Sequence, residues 1–394
     1  MIDEPFRPVE AREAPPRKPV EGGIPVHEPL LNGREKEYLI RCIDTGWVSS
    51  EGPFVREFED RFASYIGVSH GVAVCNGTAA LETALYAVGV GPGDEVILPT
   101  FTIVSCAIAT LRLGARPVLV DIDPETWCMD VGQIESRITS RTKAIMPVHI
   151  YGHPVDMDPL REIADRHGLA VVEDAAEAHG AEYRGRRCGS LGDAAAFSFY
   201  ANKIVTTGEG GMVVTGNSAA AERARSYRNL CFRSDRRFYH TEVGYNFRLT
   251  NLQAAVGLAQ LERVEEFVSI KRRQAHSYRE RLLRIPGVRG AVERPYARSV
   301  FWMHAVELEE RVALDAESAM RRLGERRIGT RPFFLGLHEQ PAFREMGLFL
   351  GERYPVTERA HRRGFYLPSG MTLTEAQIAA ICDALAEMVN GARL

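Results

Sequence analysis

Between residues 70 and 215 short apolar runs alternate with segments in which apolar residues recur at helical spacing. The apolar runs are VAVC (72–75), EVILP (95–99), PVLVDI (117–122), AIMPVHI (144–150), AVVEDA (170–175), AAFSFY (195–200) and GMVVT (211–215). Segments 78–88, 102–112 and 158–167 carry the helical spacing between them. Alternation of this kind predicts parallel βαβ units. The rhythm breaks once. Only ten residues separate Tyr200 from Gly211, fewer than the dozen or more that a helical crossover needs. The last strand is therefore expected to run antiparallel to its predecessor, giving a seven-stranded mixed sheet. Lys203 then falls on a tight connection at a strand end, not on a helix face.

Beyond residue 218 the pattern becomes helical, and 250–284 reads as one long, charge-rich amphipathic element. A second αβ region follows from about 285, with a strand in VFWMHAVEL and helices near 313–325 and 354–364. Thr374 and Gln377 fit a capping box ahead of a terminal helix. The expected fold class is α/β, with a large domain over 23–250 and, over 251–394, a long helix and a smaller C-terminal α/β domain. Residues 1–22, rich in Pro, Glu and Arg, are expected to form a disordered extension.

Composition narrows the function. With 45% hydrophobic residues in 394 the chain can bury a large core. A net charge of −3 offers no basic surface for nucleic acid. No apolar run approaches the roughly 18 residues of a membrane span, and the first residues lack the apolar centre of a secretory signal. Seven cysteines are scattered singly, without a CxxC pair, which argues against a disulfide framework or a zinc site and for a cytoplasmic setting.

Ligands of open α/β sheets bind at the carboxyl ends of strands. Five strand ends here carry polar or special residues: CNGTAAL, PTFTIVS, HIYGH, EDAAEAHG and SFYANK. In the first, Gly77 permits close backbone approach and Thr78 opens a helix with a hydroxyl, a combination suited to a phosphate; an ordinary N-capped turn has the same appearance. In VVEDAAEAHG, strand alternation sends Glu173 and Asp174 to opposite faces. They are thus not an acid/base couple, and a single carboxylate at a buried strand end suits a cationic ring nitrogen, or merely caps the next helix. Lys203, if buried, is costly unless neutral or paired, and such amines form Schiff bases with carbonyl cofactors such as pyridoxal 5′-phosphate (PLP). Ser198, five residues upstream, is placed to donate to a phosphate. Two decoys drop out. His149 and His153 have zinc-like i,i+4 spacing, but Gly152 and Pro154 break any helix there, so no metal is expected. GVGPGDE (89–95) precedes a strand, whereas a dinucleotide fingerprint follows one.

Taken together, CNGTAAL, PTFT, VHIYGHPVDMDPL, EDAAEAHGA, SFYANKIVTTGEGGMV, GYNFRLTNLQAAVGLAQLE and the TRPFF segment resemble the DegT/DnrJ/StrS family of sugar aminotransferases. The resemblance runs from about Ile24 to Met388. It implies PLP-dependent transferase fold type I, the aspartate aminotransferase-like fold, and a homodimer with shared active sites. It implies that Lys203 is the catalytic, cofactor-bearing lysine and that Asp174 pairs with the pyridine nitrogen. Glu177 would reach the ring hydroxyl and Phe101 would stack on the ring. Gly77, Thr78 and Ser198 would hold the phosphate, and Asn246 the phosphate of the neighbouring subunit's cofactor. Arg331 and His338 would approach a nucleotide sugar. The amino donor implied is L-glutamate. GREKEYLIRCIDTGWVSSEGPFVREFE and GTRPFF are similar to the branch acting on GDP-4-keto-6-deoxymannose; UDP- or dTDP-linked sugars, 3-keto sugars and keto-cyclitols are the alternative acceptors. A dehydratase branch replaces the lysine with histidine, so Lys203 favours transamination. It also speaks against a non-catalytic, sugar-nucleotide-binding regulator built on the same fold.

Overall fold

The seven apolar runs condense into one sheet. A computed structural model describes residues 22–233, 235–236 and 238–392; the extension expected over 1–22 lies, apart from Gly22, outside the described residues. In chain order the strands are β1 (His70–Val74), β2 (Glu95–Pro99), β3 (Arg116–Val120), β4 (Thr142–Ile145), β5 (Ala170–Asp174), β6 (Glu182–Tyr183), β7 (Arg186–Arg187), β8 (Ala194–Ser198) and β9 (Gly211–Thr215). There follow β10 (Val288–Gly290), β11 (Ala297–Arg298), β12 (His304–Leu308), β13 (Arg331–Pro332) and β14 (Gly364–Leu367). The large sheet has the order β1-β9-β8-β5-β4-β2-β3. Its interior pairs are parallel, whereas β9 runs antiparallel to both β8 and β1. The short gap after Tyr200 thus produces the expected reversal. Every residue of β2, β8 and β9 is buried, as helices on both faces require of a largely parallel sheet.

Three expectations change in detail. The run at 144–150 is a regular strand only to Ile145: Pro147 has no N–H to donate, an isolated bridge from Val148 to Asp174 still holds the run to β5, and the chain turns at Tyr151 and Gly152 with φ of 51° and 88°. The element at 250–284 is two helices, Asn251–Leu261 and Val264–Leu282. The break falls where Tyr38 Oη donates to Glu262 and Arg263 pairs with Glu266, and beyond it the second helix packs on the terminal helix Glu375–Asn390. In VFWMHAVEL the strand begins only at His304, after Phe301 adopts φ 47°.

A second sheet, β10-β12-β14-β13, builds the C-terminal region, and a small ladder, β11-β6-β7, ties it back to the first sheet's flank. The capping box at Thr374 and Gln377 is formed, each side chain bonding the other's backbone N–H. All seven cysteines are free thiols, six of them buried.

Candidate active site

The polar strand ends meet at the carboxyl edge of β5 and β8. The helix Gly77–Ala87 starts there, capped by Asn76, whose side chain accepts from the Ala79 N–H. Among the described residues the N–H groups of Gly77 and Thr78 find no protein acceptor, as the first turn of a helix predicts. A Cβ on Gly77 would sit 2.7 Å from Ser198 Cβ and 3.0 Å from its Oγ. Only glycine lets the helix start come this close to the end of β8. The result is a cradle of free N–H groups, the Ser198 hydroxyl and Thr78, whose own hydroxyl donates to Ser105 at 2.8 Å.

Across this cradle Lys203 enters from the β8–β9 connection with its side chain 11% exposed. Its Nζ lies 3.6 Å from Glu177 Oε1 and 3.8 Å from the centroid of the Trp302 indole ring. Burial lowers the lysine pKa, against the opposing pull of Glu177 and Asp174. The same burial raises the Glu177 carboxyl to about 7, although Lys203 and the Tyr151 N–H, bonded at 2.7 Å, both favour its anion. Desolvation therefore outweighs attraction on both sides of the pair.

Asp174 ends β5, buried at 3% exposure. One carboxylate oxygen accepts from the Ala176 N–H at 3.1 Å and the other from the Cys106 thiol at 3.0 Å. Burial and the neighbouring Asp174 push that thiol's pKa well up, so it stays a donor. Glu173 points to the opposite face, as alternation requires. Its oxygens accept from the N–H groups of Leu191, Gly192 and Gly189, each at 2.7 Å, and from His149 Nε2 at 2.9 Å. Glu173, His149 and Cys188 bring possible ligand atoms within 4.8 Å of one another. Those donors consume the carboxylate, and His149 Nδ1 accepts from the Val155 N–H, so the trio is a tie for the 189–192 loop. His153 is likewise engaged, through the Pro154 carbonyl and the Arg294 N–H.

Phe101 is fully buried and touches Tyr151, Phe333 and Phe334 edge-on. Tyr151 in turn stacks near Trp302, so an aromatic wall runs from Phe101 to Lys203. Arg331 is exposed on β13, paired across the ladder with Tyr366, whose phenol senses both Arg331 and Glu177. Asn246 is exposed on the 229–250 segment and has no hydrogen bond to this cluster among the described residues. His338, expected to face a substrate, is buried with both ring nitrogens engaged, by Thr100 Oγ1 at 2.8 Å and Glu358 Oε1 at 3.4 Å. It anchors the loop carrying Phe101. Cys106 and Trp302 stand beside the site's central charges, and nothing in the sequence pattern marks either of them.

The model of the DegT/DnrJ/EryC1/StrS aminotransferase family matches residues 29–386. The chain belongs to this family. It is accordingly a PLP-dependent aminotransferase. Its relatives include a GDP-perosamine synthase of Caulobacter vibrioides, 45% identical over 93% of this chain and 98% of the relative. The GDP-perosamine synthase of Escherichia coli O157:H7 is 41% identical over 93% and 99%. Among solved structures, DesV of S. venezuelae, in complex with ketimine intermediate, superposes with a TM-score of 0.84 at 38% identity, covering 90% of this chain and 94% of that one. DesI, solved in the presence of its TDP-sugar product, has a TM-score of 0.85 at 35% identity, covering 93% of each chain. The residues present fit the family's cofactor. Free N–H groups and hydroxyls match a phosphate, a desolvated amine matches an aldehyde, and a buried carboxylate matches a ring nitrogen.

Proposed function

We propose that this family member moves an amino group from L-glutamate to the keto carbon of GDP-4-keto-6-deoxymannose, giving GDP-perosamine. The observation that carries the acceptor is the identity of 38–45% to three GDP-perosamine synthases over 93% of the chain. Bound PLP supplies an aldehyde that condenses with amines and a ring that withdraws electrons. The Gly77 and Thr78 N–H groups, with Ser198, would hold its phosphate; Phe101 would cover its ring and Asp174 would keep a proton on the ring nitrogen. Glu177, whose carboxyl pKa is raised by burial to about 7 and which lies 3.6 Å from Lys203 Nζ, would face the ring hydroxyl. Lys203 Nζ would hold the cofactor and, once free as the neutral amine, would carry a proton between the substrate carbon and the cofactor carbon. Arg331, exposed at the rim, suits a diphosphate through its fork of donors.

A homodimer completes the site in this reading, with Asn246 reaching the neighbouring subunit's phosphate. Exposed Ile40, Ile43, Trp47 and Val48 supply an apolar surface for that contact. The free thiols suit the cytoplasm; no helix among the described residues is long and apolar enough to cross a membrane.

Borohydride treatment of the PLP-loaded protein should fix the cofactor on Lys203, and Lys203→Ala should lose both the visible absorbance and turnover. The pyridoxamine phosphate form, offered a panel of nucleotide keto sugars, should regain absorbance with GDP-4-keto-6-deoxymannose. Recovery with a UDP- or dTDP-sugar alone would overturn the acceptor, and recovery with none would point to a keto-cyclitol or another ketone.

A further inference from the structure

The Lys203 amine rests on an indole face built to receive it. Trp302 is 4% exposed. Its Nε1 donates to the carbonyl of Asn202 at 2.7 Å, one residue from the lysine. Its backbone N–H donates to Tyr151 at 2.9 Å, and its ring lies at 21° to the Tyr151 ring. The preceding Phe301, at φ 47°, holds a left-handed conformation that is unfavourable for a bulky residue. An aromatic face attracts an ammonium and not a neutral amine.

We infer that Trp302 is a positioning residue that docks the Lys203 ammonium in the aminated stage, between the proton transfers that use the neutral amine. This rests on the reading of Lys203 as the cofactor lysine. In a two-stage amino transfer the lysine is free throughout the aminated stage. It must then stay within reach of the cofactor. The free ammonium is present in that stage and not while the lysine is joined to the cofactor, so an indole face that binds it favours the aminated form of the enzyme. The other titratable groups that act on the Lys203–Glu177 pair are Asp174, Cys106, Cys128, Tyr151, Tyr366, His27 and His179. Among the described residues the ring beneath the amine is that of Trp302.

The chain contains five lysines, so full-length protein labelled with 15N-lysine can report each amine by NMR, with Lys203→Ala assigning the signal. The measurement is a pH titration of the pyridoxamine phosphate form, for wild type, Trp302→Phe and Trp302→Leu. Loss of the indole should lower the Lys203 midpoint by roughly one pH unit in the leucine variant, with phenylalanine between. Below that midpoint the equilibrium between the two cofactor forms, at fixed donor and keto acid, should shift about tenfold away from the aminated one. The sign is decisive. A ring that merely excluded water would, on removal, hydrate the amine and raise its midpoint; a raised or unchanged midpoint overturns the inference. Should the leucine variant not fold, the phenylalanine variant alone decides by the same sign. If borohydride fixes the cofactor on another residue, the reading of Lys203 fails; if it fixes Lys203 and the midpoint does not fall, only the role of Trp302 fails.

Discussion

Glu173 and Asp174 are neighbours on β5, carry the same functional group and face opposite sides of the sheet. Replacing each with its amide should therefore separate folding from chemistry. Glu173 receives four N–H donors, two on each oxygen. In Glu173→Gln the new NH2 group must face either Leu191 and Gly192 or Gly189 and His149. Either way two N–H groups lose an acceptor and meet a donor. His149 cannot adapt by moving its hydrogen, because Nδ1 is already accepting from Val155. Two buried, charge-assisted bonds at about 1.5–3 kcal/mol each put the loss at about 3–6 kcal/mol. Asp174→Asn meets a softer environment. Its oxygen keeps the Ala176 N–H, and its NH2 faces the Cys106 sulfur, a weak acceptor. Stability should change by under about 1 kcal/mol. The lost negative charge opposite the ring nitrogen should nonetheless lower turnover by about 100-fold or more. Urea unfolding of the cofactor-free proteins, followed by circular dichroism, measures the first effect, and single-turnover absorbance of the PLP-loaded proteins the second. The reasoning fails if Glu173→Gln unfolds within about 1 kcal/mol of wild type, or if both variants lose stability and turnover in parallel.

Two further perturbations probe the cradle and the central pair. Gly77→Ala places a Cβ against the Ser198 Cβ, which is fixed to a strand; the helix start must move, and PLP affinity by absorbance titration should fall at least tenfold, with unchanged affinity removing the cradle from the phosphate site. Glu177 has its pKa raised from 4.5 to about 7 by burial, so the fold favours its protonated form. That contribution to stability is complete below about pH 4.5 and is lost as pH rises to about 7. Glu177→Gln should therefore flatten the fall in the urea midpoint of the cofactor-free protein across this window, and parallel curves for the two proteins would contradict the raised pKa.

The features legible in the sequence are those that topology dictates. Ten residues cannot hold a helical crossover, so the reversal at β9 followed from counting alone. The convergence of Gly77, Asp174, Ser198 and Lys203 followed from it, because strands that share direction share a carboxyl edge. Boundaries were less legible: nothing in the periodicity of 250–284 marks Glu262 and Arg263 as a break, since the apolar spacing continues through it. Least legible were the partners that set the site's electrostatics. Cys106 reaches Asp174 from 68 residues away, and Trp302 bonds Asn202 across 100 residues. Each sits in an apolar run where a cysteine or tryptophan has an ordinary packing use. His338 shows the converse. Its position near the site could be inferred, but its buried bonds to Thr100 and Glu358 turn a candidate ligand into a brace. A residue's own chemistry and the end of its strand suffice to nominate it for a reaction. Its protonation state depends on which distant side chains desolvate it, and only the packed chain specifies those.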